Sequence, residues 1–364
     1  MTPPTGFLLR DQLDDLIAVV SARGFACLGP QVKDGAIVYD TLKSSADLPA
    51  GVHVDQQPGR YTLTHTYSER QFAWSNGPQA IKPLVFAPTE TLWHVQKTDD
   101  GTLQFSDAQL QIPAVAIFGV KGCDLAALAL QDKHFMLDPC YAGRRQALFL
   151  IAVNCTHPAA TCFCASTGDG PSVKANFDLL LDELDDGFLV NSGSDIGNDI
   201  LTDLALTAAT DQQKETALQA VVDAADKQQR RLPPGSLYKA LFDRLDHPHW
   251  KEIGERCLSC GNCTAVCPTC FCSRETDSTL PGSSSSSHTR EWDSCFTQGH
   301  SYIHGLTIRP TTKFRYRQWL THKLGSWHEQ YGRSGCTGCG RCISWCPVGI
   351  DLTVEVATLL ATEQ

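Results

Sequence analysis

Hydrophobic residues change their spacing several times along this 364-residue chain. The opening stretch, MTPPTGFLLRDQLDDLIAVV, interrupts its apolar pattern with Asp11, Asp14 and Asp15. A secretory leader would place basic residues before an uninterrupted apolar run, so a short amphipathic helix is expected instead. Residues up to about 110 show short mixed patterns broken by turn signals such as SNGP at 75–78 and TDDG at 98–101. Then AVAIFGV at 114–120 and ALFLIAV at 147–153 form continuous apolar runs of strand length. Between them DLAALALQDKHF reads as a helix with Asp124 as its cap. A strand–helix–strand unit of this kind predicts two parallel strands joined by a right-handed crossover. Their C-terminal ends then share one edge of a sheet, where α/β proteins usually build their sites. Each end carries a cysteine, Cys123 and Cys155.

Further on, FLVNSG at 188–193 predicts another strand, and the Ala/Leu/Gln/Asp-rich residues 200–231 predict one long helix. Pro233-Pro234-Gly235 ends it, and SLYKALFDRL at 236–245 restarts a short amphipathic helix. A domain boundary is expected near 232–250. This divides the chain into an N-terminal α/β-type domain, residues 1–240, and a second domain, residues 241–364. The serine run at 283–287 reads as a polar loop. KFRYRQWLTHKLGSWHEQ at 313–330 reads as a helix with Tyr316, Leu320, Leu324 and Trp327 along one side. Its basic residues Lys313, Arg315, Arg317 and Lys323 are expected on a solvated face.

Composition narrows the function. With 40 acidic and 30 basic residues the formal charge is −10, which argues against a nucleic-acid partner. The apolar runs are far too short to cross a bilayer. Seventeen cysteines are the unusual feature. The count is odd, most spacings are two or three residues, and no export signal is read. In a reducing cytosol that combination points to metal and not to disulfides.

Two segments, CLSCGNCTAVCP at 257–268 and CTGCGRCISWCP at 336–347, both read C-x2-C-x2-C-x3-C-P. Three thiolates two residues apart let one loop wrap three irons of a [4Fe–4S] cluster. In two-cluster ferredoxins the fourth cysteine ligates the other cluster. The expected sets are Cys257, Cys260, Cys263 with Cys346, and Cys336, Cys339, Cys342 with Cys267. Zinc, the competing reading, needs two short hooks and gains nothing from the third cysteine and the C-P ending. The separation of the motifs and the helix between them favour an α-helical ferredoxin-like arrangement. The fold class expected is therefore α+β, with a partly parallel sheet first and an α-helical two-cluster domain after it.

Cys123, Cys155, Cys162 and Cys164 form a third candidate set at the sheet edge, for which a third [4Fe–4S] cluster is expected; zinc and unliganded thiols stay open there. Cys270 and Cys272 have only Cys295 as an obvious third partner and are expected to pack around the first cluster. Cys27 and Cys140 read as ordinary thiols. Lys121 and Arg341 flank cysteines, where they could raise a potential by offsetting cluster charge, but a solvated position is expected for both. Trp345 and Phe271 are candidates for keeping water from the clusters.

Taken together, GVKGCDLAALAL, NCTHPAATCFCASTGDGP, CLSCGNCTAVCPTCFC, REWDSCF, and RYRQWLTHKL with GCTGCGRCISWCPVGID resemble the beta subunit of cytosolic sulfhydrogenase. The corresponding iron–sulfur subunit of anaerobic sulfite reductase falls in the same family. The resemblance runs from about residue 70 to the C-terminus. It implies an iron–sulfur electron-transfer subunit between a flavin- and NAD(P)-binding subunit and a catalytic one. The catalytic partner would be a nickel–iron hydrogenase or a sirohaem sulfite reductase. The residues themselves add that no GxGxxG opens a helix after a strand, so no dinucleotide site is expected in this chain. Two other classes remain open on sequence: a heterodisulfide-reductase-like catalytic subunit, and a scaffold that carries no electrons.

Overall fold

A computed structural model of the chain describes residues 6–109 and 111–361. Of the N-terminal stretch read above, residues 1–5 lie outside the described residues. Its helix runs from Leu13 to Ala22 and buries Leu13, Leu16, Ile17 and Val20.

Seven strands form the main sheet, in the order Gly6–Leu9, Gly187–Ser192, Leu179–Glu183, Leu148–Val153, Val115–Val120, Ala26–Lys33 and Ala36–Thr41. The pairs Val115–Val120 with Leu148–Val153, Leu148–Val153 with Leu179–Glu183, and Ala26–Lys33 with Val115–Val120 are parallel; the outer pairs are antiparallel. The two strands expected from continuous apolar runs are the middle of this sheet. Their side chains are buried on both faces, as such runs require. Leu16, Val20, Phe149, Ile151 and Phe188 pack on one face, and Ile117, Leu128, Phe135 and Leu150 on the other. Gly119 takes φ +82° at a break in register between Phe118 and Val120. Any Cβ there would come within 2.9 Å of the Phe72 ring, so glycine lets the strand end turn under that ring toward Lys121 and Cys123.

A separate core holds the last third of the chain. Trp250, Tyr316, Trp319, Leu320, Ile343 and Val356 pack together, with Cys257, Cys263, Cys342 and Cys346 at its margin. The helices His249–Arg256, Thr312–Thr321 and Leu352–Leu360 supply most of it. Asp351 caps the last of these through Thr353 N, where the loop after Cys346 enters the helix. The two parts interlock. A four-stranded sheet pairs Thr89–Lys97 and Leu103–Asp107 with Ser273–Thr279 and Ser285–Trp292, so strands from both sides of residues 232–250 share one ladder. Gly59, in the turn of the Val52–Gln57/Arg60–His65 hairpin, donates its N–H to Ile343 O at 3.1 Å.

Four local expectations change. The 200–231 region is two helices, Asp195–Thr202 and Asp211–Asp226. Between them Thr207 exchanges backbone hydrogen bonds with Phe7, and Thr210 caps the second helix with Gln213 in a capping box. Most of the serine run lies in the strand that begins at Ser285, because pairing with Gln96 and Val95 satisfies its backbone. The helix after Val120 starts at Gly122 with Lys121 as its cap, so Asp124 lies inside its first turn, buried. The 313–330 segment does bury Tyr316, Leu320, Leu324 and Trp327, and it passes through a π-helical stretch at His322–Ser326. Arg315 and Lys323 are buried with it, against expectation. Arg315 donates to the carbonyls of Phe296, Arg309 and Pro310, which replaces the water it loses.

Candidate metal centres

The first motif leaves the end of the His249–Arg256 helix at Cys257 and turns at Gly261, φ +78°, into the one-turn helix Asn262–Ala265. The turn brings Cys257, Cys260 and Cys263 around one cleft, and Cys346 closes it from the second motif. The cleft opens among these sulfurs, with Phe296, Tyr316 and Trp319 on its apolar side. Ser259 N is 3.4 Å from Cys257 Sγ, and Ile350 N is 3.3 Å from Cys346 Sγ, so amides already point at sulfur. Tyr316 Oη and Trp319 Nε1 are buried without a protein partner. Unsatisfied donors beside a cleft of sulfurs suit a sulfide-bearing group, which accepts hydrogen bonds.

The second motif is more deeply set. Gly338 and Gly340 take φ +65° and +75°. A Cβ on Gly338 would lie 2.5 Å from Cys164 N, and one on Gly340 2.5 Å from Thr161 O. Only glycine lets this loop press flat on the TCFC segment at 161–164. Phe163 N donates to Gly338 O at 2.8 Å across the contact. Burial, and then the fields of Cys336, Cys339, Cys267 and Cys263, raise the Cys342 thiol well above the ordinary range. Burial pushes the Cys336 thiol up to about 12.

Cys123 and Cys164 pack with Cys339 in one buried cluster at the C-terminal edge of the main sheet, with Cys155 and Cys162 nearby. Cys123 sits in the first turn after Val115–Val120, Cys155 follows Leu148–Val153, and Cys164 opens the short helix Cys164–Thr167. Cys162 and Cys164 each lie in the field of Cys155. Burial pushes Cys164 up to about 12, and burial with nearby anions raises Cys123 and Cys162 well above the ordinary thiol range. Such thiols stay protonated until a cation displaces the proton, which is the condition a metal group meets.

Three observations bear on what these sets can hold. A single zinc ion with Zn–S of ~2.3 Å would draw two sulfurs to ~3.8 Å. Among the described residues, none of these twelve cysteines belongs to a group of three or more potential ligand atoms within 4.8 Å of one another. The sets are therefore open enough for a larger body. The second observation is charge. Lys82, Lys121 and Lys323 are buried, and among the described residues none has a carboxylate within salt-bridge distance. Lys121 donates to Phe72 O at 2.9 Å and sits over the Trp74 ring. Lys323 donates to Thr269 Oγ1 at 2.8 Å, which in turn lies 3.3 Å from Cys267 Sγ. Burying an ammonium without a counter-charge is costly, and a cubane on four thiolates is a net anion. The third is contiguity. Asn76 Nδ2 contacts Cys123 Sγ at 3.3 Å and Cys339 O at 3.2 Å, and Cys342 lines the cleft of the first set.

A family profile described as a 4Fe-4S dicluster domain matches residues 256–350. Sulfhydrogenase 2 subunit beta of Pyrococcus furiosus is 31% identical over 282 residues, which cover 74% of this chain and 79% of that protein. The chain belongs to the sulfhydrogenase beta subunit family. It is an iron–sulfur electron-transfer subunit of an oxidoreductase that works as a complex of several subunits. No solved structure matches it. No helix among its described residues is long and apolar enough to cross a membrane.

Several side chains that shape these family sites were not expected. Arg341 and Lys121, expected in solvent, are each 1% exposed. Arg341 forms a paired bridge to Asp124 at 2.6 and 2.8 Å and also donates to Gly77 O and Asn76 Oδ1. Gln228 reaches Cys164 Sγ at 3.3 Å and Ala165 N at 3.0 Å from just beyond the Asp211–Asp226 helix. Asn76 lies in SNGP, whose residues signalled only a turn. Gln228 carries no local signal, since an exposed glutamine near a helix end looks the same. Trp345 packs at a tilt against Tyr61, ring centroids 5.0 Å apart, and Phe271 stacks on His134 at 3.8 Å. Cys27 is buried in the sheet core, and Cys140 lies beside Glu90 and Asp138, two carboxylates already bound by Arg144 and Arg290.

Proposed function

We propose that this chain carries electrons through three [4Fe–4S] clusters in a row. The proposed ligands are Cys257, Cys260, Cys263 and Cys346 for the first, and Cys336, Cys339, Cys342 and Cys267 for the second. Cys123, Cys155, Cys162 and Cys164 would hold the third. When bound, such clusters take up and release single electrons. The protein's own part is positioning. Loop amides donate to sulfur, aromatic side chains limit water, and the buried lysines offset negative charge. The observation that carries the third cluster is the buried Lys121, which among the described residues has no carboxylate within salt-bridge distance and lies in the field of Cys155 and Cys123 at that sheet edge.

The division into residues 1–240 and 241–364 belongs to the same reading, with the third cluster in the first unit and the other two in the second. On this arrangement electrons move between a flavin- and NAD(P)-binding subunit and a nickel–iron hydrogenase subunit in the cytoplasm. Similarity to a sulfhydrogenase beta subunit supports the hydrogenase partner over a sirohaem sulfite reductase.

Iron and acid-labile sulfide measured on the anaerobically purified chain test the reading. About twelve of each per chain are expected, falling to about eight in Cys164→Ser and in Cys339→Ser. About eight in the parent, unchanged by Cys164→Ser, would remove the third cluster. Anaerobic co-purification tests the partner: nickel in the complex supports a hydrogenase, and sirohaem favours the alternative.

A further inference from the structure

Outside the twelve sulfurs, two groups of side chains among the described residues are drawn much closer together, and one of them, Glu90, Asp138 and Cys140, is already held by arginines. Cys272 Sγ and Cys295 Sγ are 3.4 Å apart. These two sulfurs and a ring nitrogen of His300 all lie within 4.8 Å of one another. That is the scale of a single tetrahedral ion, whose two sulfurs would stand ~3.8 Å apart. It is not the scale of a cubane, in which each thiolate sits on a different iron.

The histidine is oriented for ligation. His300 Nδ1 lies 3.0 Å from Asp293 Oδ2, so with Nδ1–H donating to that carboxylate the Nε2 lone pair is left free. A carboxylate behind a metal-binding histidine is the usual support of zinc sites. Asp293 is itself held, with Ser294 N donating to Oδ1 at 2.7 Å and its own N–H donating to Cys272 O at 2.8 Å. The three ligands come from separate pieces of chain. Cys272 precedes the strand Ser273–Thr279, Cys295 follows Ser285–Trp292, and His300 lies in the short 3-10 helix Gln298–Ser301.

We propose that Cys272, Cys295 and His300 bind one zinc ion that fastens the base of this hairpin. The fourth position goes to a water from the open cleft bordering Cys272, which Lys82, Trp292 and Asp293 also line. Binding displaces one proton from each thiol to solvent, and no electron moves. The site is neutral, since two thiolates balance the ion and the imidazole is uncharged. It therefore needs no buried counter-charge, unlike the clusters.

The site is tested on the full chain, purified anaerobically and washed with chelator, by measuring zinc beside iron and sulfide. One zinc per chain is expected, with X-ray absorption at the zinc edge giving two sulfurs at about 2.3 Å and two lighter donors at about 2.0–2.1 Å. The double variant Cys295→Ser/His300→Ala is expected to lose the zinc and keep its iron. Asp293→Asn should fold and keep the ligands, with zinc affinity reduced about 10–100-fold in competition with a chromophoric chelator. Zinc below a tenth of an equivalent in the parent, a Cys272–Cys295 disulfide in the anaerobic protein, a lone iron in the same place, or zinc retained by the double variant would each overturn the proposal. Iron and sulfide report on the clusters separately, so failure of one reading leaves the other standing.

Discussion

At the residue scale, the most informative atoms are the amines of Lys121 and Lys323. Both are buried, and both lie beside cysteines where neighbouring carboxylates would normally be found. Lys323 sits closest to the second set, with Cys267, Cys270 and Cys336 favouring its charged form against burial. Replacing it in Lys323→Met removes a positive charge from that surround. The reduction potential of the second cluster is expected to fall by tens of millivolts in an EPR-monitored redox titration, with iron content unchanged. Asp124 and Arg341 behave differently, because they neutralise one another within the same buried interface. Asp124→Ala leaves the guanidinium buried and alone, a loss of about 3–5 kcal/mol, measurable as a lower denaturation midpoint.

Among elements, the short glycine turns decide how closely the two halves approach. Gly340→Ala puts a methyl group into the Thr161 carbonyl and forces alanine to φ +75°, so two penalties coincide. The variant is expected to lose iron from the second and third sets and to unfold earlier in denaturant. Gly101→Ala is the matched control: its φ is +87° but nothing lies within 4 Å of the added Cβ. That change should cost only about 1–2 kcal/mol, the penalty for left-handed backbone, and leave iron untouched. Farther from the sites, Thr210→Ala removes the cap of the Asp211–Asp226 helix. Its expected cost is about 1 kcal/mol, read from the urea midpoint. Loosening Gln228 from Cys164 in the same variant is expected to alter the EPR signal of the proposed third cluster.

On the scale of the whole molecule, strands from both halves share a sheet, and the second motif lies on the TCFC loop of the first half. Clusters held in such loops fasten distant parts of the chain. Removing iron with an anaerobic chelator is therefore expected to lower Tm for the entire chain. Calorimetry should record one cooperative transition moving down, and not an early transition confined to residues 241–364. On the proposed reading, contiguity also sets the electron path. Cys260 is the exposed cysteine of the first motif, whereas Cys123, Cys162 and Cys164 are buried. Electrons exchanged through the first set would meet the surface there and reach the others through Cys342 and Asn76.

Some of this was fixed by sequence alone, for reasons of period and spacing. Continuous apolar runs at 114–120 and 147–153 admit little but buried parallel strands, and the crossover rule then places Cys123 and Cys155 on one edge. The doubled C-x2-C-x2-C-x3-C-P spacing carries its chemistry locally, because one tight turn aligns three thiolates whatever surrounds it. What the tertiary structure decided depends on partners far apart in the chain. Asp124 and Arg341 are 217 positions apart, and Gln228 is 64 from Cys164. The burial of Lys121, Arg315 and Lys323 follows from what packs over them, which no local pattern encodes. The same holds for His300, an ordinary loop histidine until the hairpin's return carries Cys272 and Cys295 to its side.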